Sequence, residues 1–175
     1  MDRIALPLAW VGAVLLAAAA PAPAPALDTP NERVTLSNLT GVHVVVDGVG
    51  PDAERGGITQ AGLQTEVEGR LRRAGLRVLT AAEAMASVGR PTLTLRVSVV
   101  RPTDAPQVTV YSVDLALRQQ IRLARDRAIE SFAVTWSDTR EVGAVPAARP
   151  AAVRDAVRAK VEQFVQAWQT VNQER

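Results

Sequence analysis

Apolar and polar residues alternate along three consecutive stretches between residues 92 and 136. The apolar positions of each stretch share one parity: Leu93, Leu95, Val97 and Val99; then Val113, Leu115, Leu117, Ile121 and Leu123; then Phe132, Val134 and Trp136. A spacing of two is that of a β-strand with one buried face. We therefore expect a three-stranded antiparallel meander whose apolar face is covered by other elements.

Two amphipathic helices are predicted, one before the meander and one after it. The first begins at the N-cap Thr59, ends before Gly75, and carries Leu63, Val67 and Leu71 at helical spacing. The apolar stripe of the second helix, residues 150–171, consists of Val153, Val157, Val161, Phe164, Val165 and Trp168. Both stripes are expected to pack on the apolar face of the sheet.

Short apolar segments at residues 42–46 and 76–79 flank the first helix. The order strand, helix, strand is typical of a parallel pair joined by a crossover. We therefore predict that residues 41–173 form a single α/β domain of the α+β class. Its core is a four- to five-stranded mixed sheet, in which the strand–helix–strand unit precedes the three-stranded antiparallel meander, with two helices packed on one face.

The remaining segments are predicted to be irregular. Residues 27–40 are expected to be a linker with a possible edge strand at 33–39, residues 47–57 a flexible loop, and residues 137–148 a connector. Val108 and Val110 have the opposite parity to Val113 and Leu115. This change of parity predicts a β-bulge or bend near Tyr111, or else a loop over residues 107–111.

Residues 1–26 have the pattern of an export signal. A 17-residue apolar run, residues 4–20, follows Arg3, and the sequence Ala24-Pro25-Ala26 is a cleavage site before Leu27. The alternative is a retained membrane anchor over residues 4–20, near the lower length limit for a bilayer span. Both alternatives place the folded part outside the cytoplasm, in the periplasm or beyond, and only the second implies membrane contact.

Charge and cysteine content exclude several classes of protein. The chain has 19 arginines but one lysine, Lys160, and its formal net charge is only +2. The arginines alternate with apolar residues or follow helix faces, so no clustered basic surface for nucleic acid is predicted. Because there is no cysteine, disulfides, thiolate metal sites and a lipid-modified cysteine are excluded.

Candidate chemistry is sparse. The single histidine, His43, lies in an apolar strand and precedes an acidic glycine-rich loop that contains Asp47 and Asp52. The loop fits neither a phosphate-binding motif nor an EF-hand. A second polar run supplies Trp136, Asp138 and Arg140. These six residues are the candidate binding surface, and no catalytic residue, metal ligand or cofactor is assigned.

The order of elements resembles small bacterial envelope domains, namely the LptE-type lipopolysaccharide-assembly proteins and the TolB amino-terminal domain. Residues 57–79, residues 92–136 and the helix that ends near Val171 carry this resemblance. It implies a non-catalytic accessory subunit at the outer membrane or in the periplasm. The lipoprotein members carry a modified cysteine that this chain lacks, so the resemblance does not imply tethering, and it transfers no functional residue.

We therefore expect an exported, non-catalytic envelope protein that acts as a binding or assembly subunit. An envelope protein or lipid would bind at an edge or face of the sheet. One alternative is a membrane-anchored subunit of a larger complex. A second is a small extracytoplasmic hydrolase that uses His43 and the 47–57 loop. The sequence assigns no oligomeric state.

Overall fold

The computed structural model describes residues 28–172 and confirms the α+β class, with a mixed six-stranded sheet that does not close. The helices are α1 (Pro30–Val34), α2 (Pro51–Arg55), α3 (Gln60–Arg73), α4 (Ala81–Ala86) and α5 (Ala151–Asn172). The strands are β1 (Gly41–Asp47), β2 (Arg77–Val78), β3 (Thr92–Val100), β4 (Val108–Leu123), β5 (Asp126–Ser137) and β6 (Glu141–Pro146).

The sheet order is β2-β1-β3-β4-β5, and β6 also pairs with β4. Strand β1 is parallel to β2, as the strand–helix–strand order predicted, and it is also parallel to β3. The pairs of the meander are antiparallel. Residues 116–123 of β4 pair with β5, and residues 108–113 pair with β6. Strand β3 pairs along one edge of β4. Strands β5 and β6 therefore lie one after the other along the opposite edge of β4.

Helices α3 and α5 contact each other and cover one face of the sheet, as predicted. The hydroxyl of Thr59 accepts a hydrogen bond from the Gly62 amide at 3.1 Å, and Gly75 has a φ of +90° after the last turn of α3. The predicted stripe residues Leu63, Val67 and Leu71 are buried. Local capping and spacing therefore determine this helix.

The amino-terminal segment is a correction to the prediction of a linker with an edge strand. Thr29 and Glu32 form a reciprocal capping box, and Pro30 occupies the first turn, so the chain forms α1. The following turn buries Leu36 and Leu39 in the core. Local capping signals thus prevail over weak apolar alternation, and residues 28–40 pack on the domain.

The predicted connector at 137–148 contains β6, which brings the strand count to six rather than four or five. The ring of Tyr111 crosses Gly143 in β6, and a Cβ atom there would lie 2.5 Å from the ring. The predicted 47–57 loop likewise contains α2. In α2, the Asp52 carboxylate accepts a hydrogen bond from the Arg101 amide at 2.8 Å.

We predict that the phenol of Tyr111 titrates above pH 10. Burial of the ring, followed by its 3.1 Å hydrogen bond to the Glu141 carboxylate, raises its pKa above the ordinary value of about 10. The neutral phenol therefore contributes to the free energy of unfolding. This contribution is fully present below pH 10 and is lost as the pH rises through the folded-state pKa. Tyr111 is the only tyrosine, so the rise in absorbance at 295 nm with pH reports its ionisation alone.

Two comparisons check the titration. Glu141→Gln should lower the midpoint towards that of the urea-unfolded chain without reaching it, because burial remains. Circular dichroism defines the pH range in which the chain stays folded. A native midpoint equal to the unfolded one would contradict the prediction.

The bulge predicted near Tyr111 is wrong, because β3 and β4 pair in unbroken register from Thr92 to Val100. The irregularity lies further along, where Leu117 pairs with Trp136 but Arg118 pairs with Val134. One extra residue on β5, Thr135, reverses the parity of the strand. Trp136 therefore faces the helices, whereas Val134 and Phe132 face the other side.

Candidate functional site: the open face of the sheet

The side of the sheet opposite α3 and α5 is the candidate functional site, and we call it the open face. Its residues are exposed or half-buried, whereas the residues of the other parity on β1 and β3, and on β4 as far as Leu117, are buried or nearly so. The open face comprises His43, Val45 and Asp47 on β1; Thr92, Thr94, Arg96, Ser98 and Val100 on β3; Val110, Ser112, Asp114, Ala116 and Arg118 on β4; Phe132 and Val134 on β5; and Val142 and Ala144 on β6.

Four charged side chains of alternating sign cross the middle of this face. Arg96 Nε lies 3.9 Å from Asp47, Arg96 Nη1 lies 4.0 Å from Asp114, and Arg140 Nη2 lies 3.7 Å from Asp114. In order across the sheet they are Asp47 (β1), Arg96 (β3), Asp114 (β4) and Arg140, which lies between β5 and β6. We call this set the charge row.

Contacts within the charge row are long. Separations of 3.7–4.0 Å exceed the 2.7–3.2 Å of a protein hydrogen bond. The side chains of Asp47, Arg96 and Arg140 are also 62%, 56% and 59% exposed. These groups therefore keep donors and acceptors that an opposing surface can use.

Exposed apolar side chains lie on both sides of the charge row along the strand direction. Val100, Val110 and Val142 lie towards the carboxyl end of β3. Phe132 and Val134, which the bulge turned outwards, lie towards its amino end. The open face thus has an apolar zone, a charged zone and a second apolar zone.

Of the six predicted binding residues, Asp47 and Arg140 belong to the charge row, and burial removes the side chains of Trp136 and Asp138 from any surface. Trp136 is fully buried, donates from Nε1 to Asp28 at 2.7 Å, and packs edge-on against Phe164 with 5.1 Å between ring centroids. A strand sends alternate residues to opposite sides, so Trp136 and Asp138 point towards the helices.

Asp138 forms a buried ion pair with α5. Its carboxylate lies 2.9 Å from Lys160 Nζ, and the two side chains are only 2% and 10% exposed. Lys160 also donates to the Thr139 carbonyl at 2.8 Å, while Asp138 accepts from the Thr139 amide at 2.6 Å. This pair fixes the backbone on either side of Thr139 and thereby positions Arg140 on the open face.

The remaining two predicted residues have structural partners elsewhere. His43 Nδ1 lies 3.1 Å from the Leu79 carbonyl, and Asp52 binds the Arg101 amide and pairs with Arg55. His43 and Asp47 are four residues apart on one strand, which corresponds to about 13 Å. The structure therefore does not bring His43, Asp47 and Asp52 together in one cluster. Within residues 28–172, no group of three or more histidine or acidic side chains could hold a metal ion.

Arg96 and Asp114 were missed by sequence reasoning. Their polar parity on two predicted strands was visible in the sequence, but their adjacency depends on the β3–β4 register. That register follows from the burial of the complete apolar face. Pattern alone therefore identifies the polar side of each strand but not which charges become neighbours.

Comparisons with known proteins identify no family. No protein-family model and no curated protein matches the chain. A solved structure of a PelC dodecamer from Paraburkholderia phytofirmans, a variant with a single substitution, aligns with 75% of this chain and 92% of its own, at 15% identity and a TM-score of 0.40. The resemblance to LptE-type and TolB-type domains is not tested by these comparisons and stays a prediction.

The predicted export signal, residues 1–26, lies outside the described residues. From Asp28 to Asn172, no helix combines the length and apolarity needed to cross a membrane.

Proposed function

We propose that this chain is an exported, non-catalytic binding domain of the cell envelope, and that it holds a protein partner by strand addition to the outer edge of β5. The leader pattern supports export. The observation that carries the binding mode is β5 itself, a 12-residue strand at the end of the sheet order. A long unpaired edge presents backbone donors and acceptors to another chain.

The two edges of the sheet differ. At one edge β2 has only two residues, and the side chain of Gln60 donates to the Val46 carbonyl of β1 at 2.9 Å. At the other edge, within the described part of the chain, no strand pairs with the outer side of β5. Near the carboxyl end of β5, the Thr35 hydroxyl donates to the Thr135 carbonyl at 3.0 Å. Among the described residues, no strand pairs with the outer backbone edge of residues 126–134.

The register shows which β5 groups point outwards. The Gln120 amide donates to the Gly89 carbonyl at 2.7 Å, on the β3 side of β4. Its partner Phe132 is therefore a non-hydrogen-bonded position whose own amide and carbonyl point away from β4. Glu130 and Val134 share this orientation, so an added strand would bond to these three residues.

Side chains beside this edge favour a protein over a lipid surface. Ile129 and Phe132 are 44% and 47% exposed, which provides apolar contact for an added strand. Glu130 is paired with Arg122 at 2.7 Å, so the charges of the edge are partly balanced rather than uniformly basic. Anionic membranes recruit clustered basic side chains, and the paired edge is less suited to them.

Site-specific photo-crosslinking in the native host tests the proposal. A photoreactive residue at Ile129 should capture one protein. Glu130→Pro should abolish the adduct, because it removes an outward amide that makes no bond to β4, and proline is tolerated at strand edges. Glu130→Ala is the matched control, since it removes the same pair with Arg122 and keeps the amide.

Other results would contradict the proposal. A lipid adduct, no adduct, or a protein adduct that survives Glu130→Pro would each exclude strand addition. Amino-terminal sequencing of the protein recovered from the envelope tests the leader separately. Leu27 as the first residue supports a cleaved signal, and a retained Met1 supports the membrane-anchored alternative.

A further inference from the structure

We propose that the open face binds a second copy of this chain, about a two-fold axis that runs parallel to the strands between β3 and β4. This contact uses the face of the sheet and leaves the edge of β5 free. It is therefore independent of strand addition. The charge row supplies the argument, because its order of signs is self-complementary.

A two-fold axis along the strands reverses the row across the interface. Asp47 of one copy then faces Arg140 of the other, and Arg96 faces Asp114. Every acid meets a base, and each contact occurs twice, as an isologous interface requires. The long separations within each copy leave donors and acceptors for these contacts.

The other in-plane axis is disfavoured by the same charges. An axis across the strands would place Asp47, Arg96, Asp114 and Arg140 opposite their own copies. Like charges in direct opposition disfavour an interface strongly. The row therefore selects one relative orientation, in which the strands of the two sheets run in the same direction, with the angle that sheet twist imposes.

The apolar zones lie level with each other about the same axis. Because the axis runs along the strands and reverses their order, Val100 of one copy faces Val110 of the other. Val142, Phe132 and Val134 lie on the β5–β6 side and face the β1 side of the other copy, where Val134 is level with His43. Between a third and two thirds of each of these apolar side chains is exposed in the single chain, from 36% for Val110 to 67% for Val142.

The size of the face indicates a weak dimer. Four strand positions at ~4.8 Å and nine residues at ~3.3 Å give roughly 600 Å² per copy. The total is near the lower limit of specific interfaces, about 1,200 Å². We therefore expect a concentration-dependent dimer in the micromolar range that weakens as salt is raised.

Sedimentation velocity of the purified protein, with two charge reversals, tests the inference. Arg96→Asp and Asp114→Arg each create two like-charge contacts in their own dimer, so each variant alone should dimerise at least about tenfold more weakly. Mixed in equal amounts, the two variants should recover the dimer. In that mixed dimer one contact pairs the two introduced charges, and the other is the native pair.

Arg149→Asp, in the turn before α5, is the control reversal and should leave the dimer unchanged, as should Glu130→Pro. Circular dichroism and thermal unfolding verify that each variant is folded; if a reversal is not, Asp114→Asn should still weaken the dimer. A monomeric wild type at every concentration, reversals without effect, or a mixture that stays monomeric would overturn the proposal. A ring or open chain of subunits would overturn it too.

Discussion

Val161→Asp is expected to unfold the domain at neutral pH. Val161 is fully buried on α5, in the core that this helix closes over the sheet. A carboxyl there has no partner, and full burial raises the pKa of such a group by up to about 3–5 units, each about 1.4 kcal/mol. With the lost apolar contact, the cost approaches a typical total stability of about 5–15 kcal/mol.

Thermal and urea unfolding at two pH values measure this effect. The introduced carboxyl is protonated in the folded core, so its pKa there lies above the unfolded value of about 3.9. Stability is therefore least affected below that value and is lost as the pH rises, which makes the defect larger at pH 7 than at pH 4.5. Ala159→Asp, at an exposed position of the same helix, is the control. Equal losses from both variants would contradict the assignment of the buried face.

The parts of the fold that sequence predicted are those with strong local signals. Helix α3 has an N-cap at Thr59, a stripe at Leu63, Val67 and Leu71, and Gly75 at its end, and each has the predicted role. In β3, and in β4 as far as Leu117, regular alternation specified the strands and their buried face. Period and capping act within a few residues, so the sequence displays them directly.

Long-range features were not predictable in the same way. The extra residue Thr135 shifts the parity of β5, so Phe132 and Val134 face away from Trp136 despite their identical spacing. Strand β6 has little intrinsic pattern, and it forms because β4 offers an edge beyond the end of β5. Both depend on which residue of a neighbouring strand lies opposite.

At the candidate site, too, local signals were visible in the sequence and the results of strand pairing were not. Residues 136–140 were a distinctive polar run, and alternation splits the run between the two sides of the sheet. Arg140 lies on the open face, whereas Trp136 and Asp138 anchor the run to the core. Asp47 acquires its neighbour Arg96 only through the β1–β3 register. Residue type thus located the segment, and strand pairing determined which side chains could bind.

The single lysine of the chain has a structural role that the sequence did not indicate. The Val153, Val157 and Val161 stripe makes α5 amphipathic, and Lys160 adjoins Val161 on it. Its stem reaches the link between β5 and β6, where its ammonium binds Asp138 and the Thr139 carbonyl. The chain has 19 arginines, but this buried position holds its one lysine, whose ammonium group is more compact than a guanidinium group.

We predict that Asp138→Leu destabilises the domain by about 3–5 kcal/mol, because it leaves the Lys160 ammonium buried without its close counter-ion. Glu141 is the nearest remaining carboxylate described for Lys160, at 3.9 Å and more exposed. Lys160→Met should destabilise in the same way by leaving Asp138 unpaired. The double variant Asp138→Leu/Lys160→Met removes both charges and should recover much of the loss, since apolar replacement of a buried ion pair is often close to neutral.

Urea unfolding of the four proteins forms a double-mutant cycle, with the midpoint and its slope measured for each. Asp155→Ala breaks an exposed pair with Arg158 on the same helix and should cost less than about 1 kcal/mol. A double variant as unstable as the sum of the two single variants would show that the ions do not interact. Because the pair fixes the backbone next to Arg140, the single variants should also weaken dimerisation through the charge row at concentrations at which they remain folded.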